Sequence, residues 1–141
     1  MITSVQDVNA ASAYGAGMVI PTFKYEDAPA AIDFLERAFG FERKNVFEGD
    51  GLVQHAELTH GRGMVMLGSV GAGDPQFETK RSSVYVIVPD ADAAYDRAKG
   101  AGAEITRELQ DTDYGSREFA ARDPEGNVWS FGTYDPFASG N

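Results

Sequence analysis

The chain has 141 residues, 43% apolar and 24% charged, which fits one globular domain with room for a substantial core. Its 12 Lys and Arg stand against 22 Asp and Glu, a formal net charge of −10, and such a surface repels phosphate backbones and anionic lipid. Nucleic acid and membrane are therefore not expected as partners. Cysteine is absent, which excludes disulfides, thiol nucleophiles and thiolate metal sites.

Residues 1–17 have neither a basic segment nor a long apolar run, so they read as a flexible leader and not as a secretion signal. A cytoplasmic protein is the expectation. The folded domain is expected over 18–134, with module one at 18–69, a polar linker at 70–82, module two at 83–134 and a tail at 135–141.

Module one opens with a strand over Met18–Tyr25, rich in β-branched and aromatic residues. A helix follows, with Asp27 as N-cap, Pro29 in its first turn and Gly40 as its stop. Ala31, Phe34, Leu35, Ala38 and Phe39 recur at helical spacing and form one apolar stripe. Three strands come next, near Arg43–Glu48, Leu52–Thr59 and Met64–Gly68. Asp50-Gly51 and Gly61-Arg62-Gly63 supply the turns between them.

Module two repeats the order. Its strand at Ser83–Val88 leads to a helix capped by Asp90, with Ala91, Ala94, Tyr95 and Ala98 as its stripe and Gly100 or Gly102 as its end. Strands follow near Glu104–Leu109, Arg117–Arg122 and Val128–Thr133, separated by Tyr114-Gly115-Ser116 and Asp123-Pro124-Glu125-Gly126. The repetition reaches the residues themselves. Tyr25-Glu26-Asp27-Ala28-Pro29-Ala30-Ala31-Ile32-Asp33 answers Val88-Pro89-Asp90-Ala91-Asp92-Ala93-Ala94-Tyr95-Asp96, and Met66-Leu67-Gly68-Ser69 answers Ser130-Phe131-Gly132-Thr133. Two copies make one domain of two modules, since a solenoid needs at least three.

This duplicated βαβββ pattern resembles the vicinal-oxygen-chelate superfamily of glyoxalases, extradiol dioxygenases, fosfomycin-resistance transferases and bleomycin-resistance proteins. The residues that carry the resemblance are Tyr25-Glu26-Asp27 before a helix ending Ala38-Phe39-Gly40-Phe41, and Asp123-Pro124-Glu125-Gly126-Asn127 before the last strand. The resemblance implies an α+β fold of two tandem modules. Their curled mixed sheets would carry helices on the outer face and a ligand groove on the inner face. Strand alternation then sorts the side chains. Val84, Val86 and Val88 form a buried face, which turns Ser83, Tyr85 and Ile87 into the groove. The same parity sends Ile20, Thr22, Lys24, His55, Glu57, Met64, Met66, Val128 and Ser130 there. Trp129 and Phe131 belong to the core.

Metal-dependent relatives place His, Glu or Gln ligands on the first, fourth, fifth and eighth strands. The corresponding residues here are Ile20, Met66, Ser83 and Ser130, none of which suits a hard divalent ion. No metal and no other cofactor are therefore expected. His55 and Glu57 share a strand face, but a third ligand would have to be His60, of opposite parity, or a distant carboxylate. The pair reads either as hydrogen-bonding groups of the groove wall or as an acid–base pair. Lys24 is either a receiver of an anionic group or a groove-edge lysine. Tyr85, Tyr114 and Phe119 offer stacking faces for a planar or cationic ligand, or ordinary packing.

The closest branch by resemblance is the metal-free bleomycin-resistance type. It implies a homodimer that holds a small organic molecule, such as an antibiotic or another cationic or aromatic compound. His55, Glu57 and Met66 of one chain would then face Ser83, Tyr85 and Ser130 of the other. The alternatives are a lyase, isomerase or dioxygenase of the same superfamily, and a non-catalytic regulatory or partner-binding module.

Overall fold

The computed structural model describes residues 20–78 and 81–138. The leader, the start of the first strand at Met18 and the last tail residues lie outside the described residues. Strand β1 (Thr22–Tyr25) leads into helix α1 (Ala28–Phe39), followed by β2 (Glu42–Gly49), β3 (Leu52–His60) and β4 (Gly63–Ser69). One turn of 3-10 helix at Pro75–Phe77 lies in the linker. Module two then runs β5 (Ser83–Ile87), α2 (Ala91–Gly100), β6 (Glu104–Asp111), β7 (Arg117–Arg122) and β8 (Val128–Gly132).

The helix boundaries follow their caps. Asp27 accepts from the Ala30 amide at 3.1 Å, and Gly40 ends α1 at φ 78° in the left-handed region. Asp90 does the same for α2 through the Ala93 amide at 3.0 Å. That helix runs through Gly100 to a cap at Ala101, with Gly102 at φ 85° beyond it. The sheets have the orders β1-β4-β3-β2 and β5-β8-β7-β6. The β1/β4 and β5/β8 pairs are parallel and the rest antiparallel, so each sheet is mixed. The fold is α+β, two tandem modules with open sheets.

Each sheet carries its helix on one face, and both helix-bearing faces bury into one shared core. Phe23 of β1 stacks on Trp129 of β8 at 5.3 Å between ring centroids, while Phe39 of α1 packs on Trp129 and Phe131 at 5.5 and 5.0 Å. The open faces of the two sheets therefore look away from this core, on separate surfaces of the chain.

Phe119 corrects one expectation. It is fully buried, stacked on Phe131 at 4.9 Å and edge-on to Tyr95, so it belongs to the core and not to the groove. The reason is its register. Phe119 pairs directly with Phe131 across β7 and β8, and directly opposed residues share a face.

A polar lock joins the modules. Tyr25 of β1 donates its hydroxyl to buried Asp123 at 2.7 Å. The same carboxylate accepts from Trp129 Nε1 at 3.0 Å, Asn127 Nδ2 at 3.0 Å, and the amides of Glu125 and Asn127. Burial, with the Asp123 charge beside it, pushes the Tyr25 phenol far above its ordinary value, so it stays a donor. Two positions on, the Glu125 carboxylate accepts from the Glu26 and Asp27 amides at 2.8 and 2.9 Å, at the entrance to α1. At the other end of α1, Arg97 of α2 donates to the carbonyls of Glu36 and Arg37.

Asp123→Ala leaves the Tyr25 hydroxyl and the Trp129 indole N–H unpaired in the core. Urea unfolding should show a loss of about 3 kcal/mol or more, against about 1 kcal/mol for Tyr25→Phe. Equal small losses would contradict this role.

Candidate functional site

The open face of the first sheet carries a fixed imidazole–carboxylate pair. His55 Nε2 lies 3.0 Å from Glu57 Oε2, and Asn45 Nδ2 donates to Glu57 Oε1 at 2.8 Å. In the neutral imidazole this bond assigns the proton to Nε2 and leaves Nδ1 as an acceptor. The hydrogen bonds from Asn45 and His55 hold the Glu57 carboxyl below its ordinary value. Phe47 of β2 pairs with His55 and stacks on its ring at 6.2 Å, with half of its own surface exposed.

Met66 pairs with Glu57 and Met64 with Thr59, so both thioethers line this face, half-buried. Thr22 pairs with Met66 from the other side and is exposed. Ile20 stands just before β1, half-buried. Lys24 is engaged elsewhere: its Nζ donates to the Ala72 carbonyl and ties down the loop after β4. His60 lies apart from the His55 pair. It is half-buried with its ring 5.1 Å from Phe41, and burial holds its imidazole below the ordinary value.

The open face of the second sheet has different chemistry. Ser83 pairs with Val128 and Tyr85 with Ser130 along β5 and β8. Glu118 of β7 points to this same side, opposite in parity to Phe119. It is almost completely buried, and its Oε1 accepts from Arg107 Nη2 and from the Tyr114 hydroxyl, both at 2.8 Å. Burial pushes the Glu118 carboxyl up, but hydrogen bonds from Tyr114, Ser116 and Arg107 outweigh it and hold the group below its ordinary value. The Tyr85 hydroxyl donates to the Tyr134 carbonyl at 2.8 Å, and the Tyr134 amide donates to Ser116 Oγ at 3.1 Å.

Within one chain, then, Thr22, His55, Glu57, Met64 and Met66 share one face, while Ser83, Tyr85, Tyr114, Val128 and Ser130 share the other. Sequence reasoning missed Asn45, Phe47, Arg107, Glu118, Gly132 and Tyr134. No local signal marks Glu118 in the sequence; its side follows from the pairing of Phe119 with Phe131, which fixes the parity of β7.

The residues at the four metal positions of the resembled superfamily, Ile20, Met66, Ser83 and Ser130, offer no imidazole and no carboxylate. Among the described residues no group of three or more His, Asp or Glu side chains is placed to hold an ion. These residues do not fit a divalent metal. Among the described residues, too, no helix is long and apolar enough to cross a membrane.

Residues 22–131 match the Glyoxalase/Bleomycin resistance protein/Dioxygenase superfamily. The chain belongs to that family. An uncharacterized protein of Mycobacterium bovis is 33% identical, over 79% of this chain and 80% of its own length. Among solved structures, TioX from Micromonospora sp. ML1 is similar with a TM-score of 0.68 and 33% identity, covering 83% of this chain and 98% of that one. A glyoxalase I variant from Zea mays also has a TM-score of 0.68, at 18% identity, covering 83% of this chain and 45% of that one, a likeness of fold alone.

The two lowered carboxyls, Glu57 and Glu118, each contribute to the acid response. A carboxyl held below its unfolded value of about 4.3 stabilises the fold above that pH and loses its contribution as pH falls through the lowered folded value. Glu118→Gln should cost about 1–2 kcal/mol at neutral pH. The gap to wild type should close in urea titrations below about pH 4. A gap independent of pH would contradict the assignment.

Proposed function

We propose that the chain is a metal-free binding protein for a small organic molecule, working as a homodimer whose two grooves are each built from both protomers. One observation carries the reading. The two candidate-bearing faces look away from each other in one chain, so a groove that uses both requires a second chain. The first sheet of one protomer, with His55, Glu57 and Met66, then opposes the second sheet of its partner, with Ser83, Tyr85 and Ser130. Thioethers, exposed rings and a few fixed polar groups suit a ligand held by apolar contact and oriented by hydrogen bonds.

The acidic surface favours the approach of cationic compounds, and the proposed role is sequestration of an antibiotic or another cationic or aromatic molecule in the cytoplasm. The four side chains at the metal positions support the metal-free part. Native mass spectrometry of protein purified without added metal should give a dimer with no stoichiometric divalent ion. A ligand from a panel of cationic and aromatic compounds should raise the melting temperature, as binding to the folded state alone must. A monomer, or one metal ion per chain, would overturn the proposal. Absence of any stabilising compound would favour a partner-binding module instead.

A second reading rests on the His55–Glu57 pair, whose carboxylate orients the imidazole as a base is oriented in many enzymes. A metal-independent isomerase or lyase would lose turnover in His55→Ala while still binding its substrate. Binding and stability that fall together would leave His55 as a wall residue.

A further inference from the structure

The second sheet's open face holds three tyrosines arranged in a way that packing does not explain. Tyr85, Tyr114 and Tyr134 are 40%, 59% and 45% exposed, yet each is tied down, the first two by their hydroxyls and the third by its backbone. The Tyr114 hydroxyl is bound to Glu118, the Tyr85 hydroxyl to the Tyr134 carbonyl, and the Tyr134 backbone to Ser116. A structural tyrosine ordinarily buries its ring and wets its tip. Here the tips of Tyr85 and Tyr114 and the backbone of Tyr134 are tied, and the ring surfaces are left open.

The rings do not form a flat platform. Tyr114 and Tyr134 meet edge-to-face at 84°, with centroids 6.1 Å apart. That corner offers a planar group one stacking surface and one edge, and it fits a flat protein surface poorly.

Glycine at position 132 makes the arrangement possible. A Cβ there would lie 2.6 Å from both Glu118 Cγ and the Tyr85 hydroxyl oxygen, so any side chain would drive these two groups apart. Glu118 in turn is sealed. Its side chain is 5% exposed, and it holds Arg107 and Tyr114 together through one oxygen. It therefore acts as a positioning residue and is not open to a ligand cation.

Arg107 remains available. Its side chain is 47% exposed, and among the described residues only Nη2 has a partner, Glu118. A guanidinium carries five N–H donors, so the others are free to meet an acceptor beside the ring corner.

We propose that Arg107, Tyr85, Tyr114 and Tyr134, set in place by Glu118 and Gly132, form a subsite for a planar aromatic group bearing a carbonyl or carboxylate oxygen. The ring stacks in the tyrosine corner and its oxygen accepts from Arg107. The inference rests on the small-molecule-binding reading and narrows it: at this subsite the fixed guanidinium disfavours a cation, whatever the overall acidity does to approach. Because the Tyr85 and Tyr114 rings are already held by their hydroxyls, little of their conformational freedom is lost on binding.

Calorimetric titration with quinoline-2-carboxylate and with N-methylquinolinium tests it. The carboxylate should bind the wild-type protein, with the cation at least about tenfold weaker, as expected for loss of one charge-assisted contact. Arg107→Gln, Tyr114→Leu and Tyr134→Leu alter exposed side chains, and each should weaken carboxylate binding by about tenfold with the circular dichroism spectrum unchanged. Gly132→Ala should weaken it as well, with no ligand-contacting group removed. Carboxylate binding that survives all three exposed-residue variants, or preferred binding of the cation, overturns the subsite. If the carboxylate fails to bind while another compound of the panel stabilises the protein, the subsite falls and the binding function stands. If no compound stabilises the protein, both fall.

Discussion

The structure depends on one buried carboxylate. Asp123 sits in the turn before the last strand and gathers donors from its own turn, from the Trp129 indole and from Tyr25 of the other module. An isolated charge at that depth would be expensive, but a carboxylate with its lone pairs met is tolerated and is specific about where its partners stand. Glu125, two residues on, reaches the amides at the start of α1. One short turn therefore fixes the end of β1, the entrance of α1 and the start of β8 together. Apolar contact between Phe23, Phe39, Trp129 and Phe131 supplies the attraction between the modules. The Asp123 lock sets their angle.

That angle has a functional consequence. With both helix-bearing faces turned to one core, the candidate residues fall on two surfaces that a single chain does not bring together. The duplication has also diverged. Glu57 pairs with Met66 in the first sheet, as Ala120 pairs with Ser130 in the second. Two residues earlier on each third strand stand His55 and Glu118. One backbone plan thus presents an imidazole tied to a carboxylate on one face. On the other it presents a sealed carboxylate that holds an arginine and a tyrosine. In the proposed two-chain groove, such unlike walls would suit an asymmetric ligand better than two identical ones.

Local signals were legible in the sequence. The Asp caps, Pro29, Gly40 and the glycine turns placed both helices and every described strand within a few residues, because each depends on neighbours close in the chain. The internal repeat gave the module order. The parity of His55, Glu57, Tyr85, Met66 and Ser130 also followed, since a half-buried strand alternates. Phe119 was misread because an aromatic residue suits both a core and a groove, and only its pairing with Phe131 decides between them. The lock escaped for a related reason. Tyr25 and Asp123 are 98 residues apart, and nothing local to the Asp-Pro-Glu-Gly-Asn turn shows that its carboxylate receives a distant phenol. Glu118 reads in sequence as a surface charge, and Gly132 as an ordinary strand glycine.

The central claim is that the groove is assembled from two protomers, and the absence of cysteine allows a direct test. A Met66→Cys chain is mixed and refolded with a Ser130→Cys chain, then treated with a short bifunctional maleimide. A shared groove predicts a covalent dimer containing one chain of each kind, resolved by mass spectrometry. In the Met66→Cys/Ser130→Cys double variant it predicts links between chains. Double-variant chains that link only within themselves, or single variants that never join, would contradict the account.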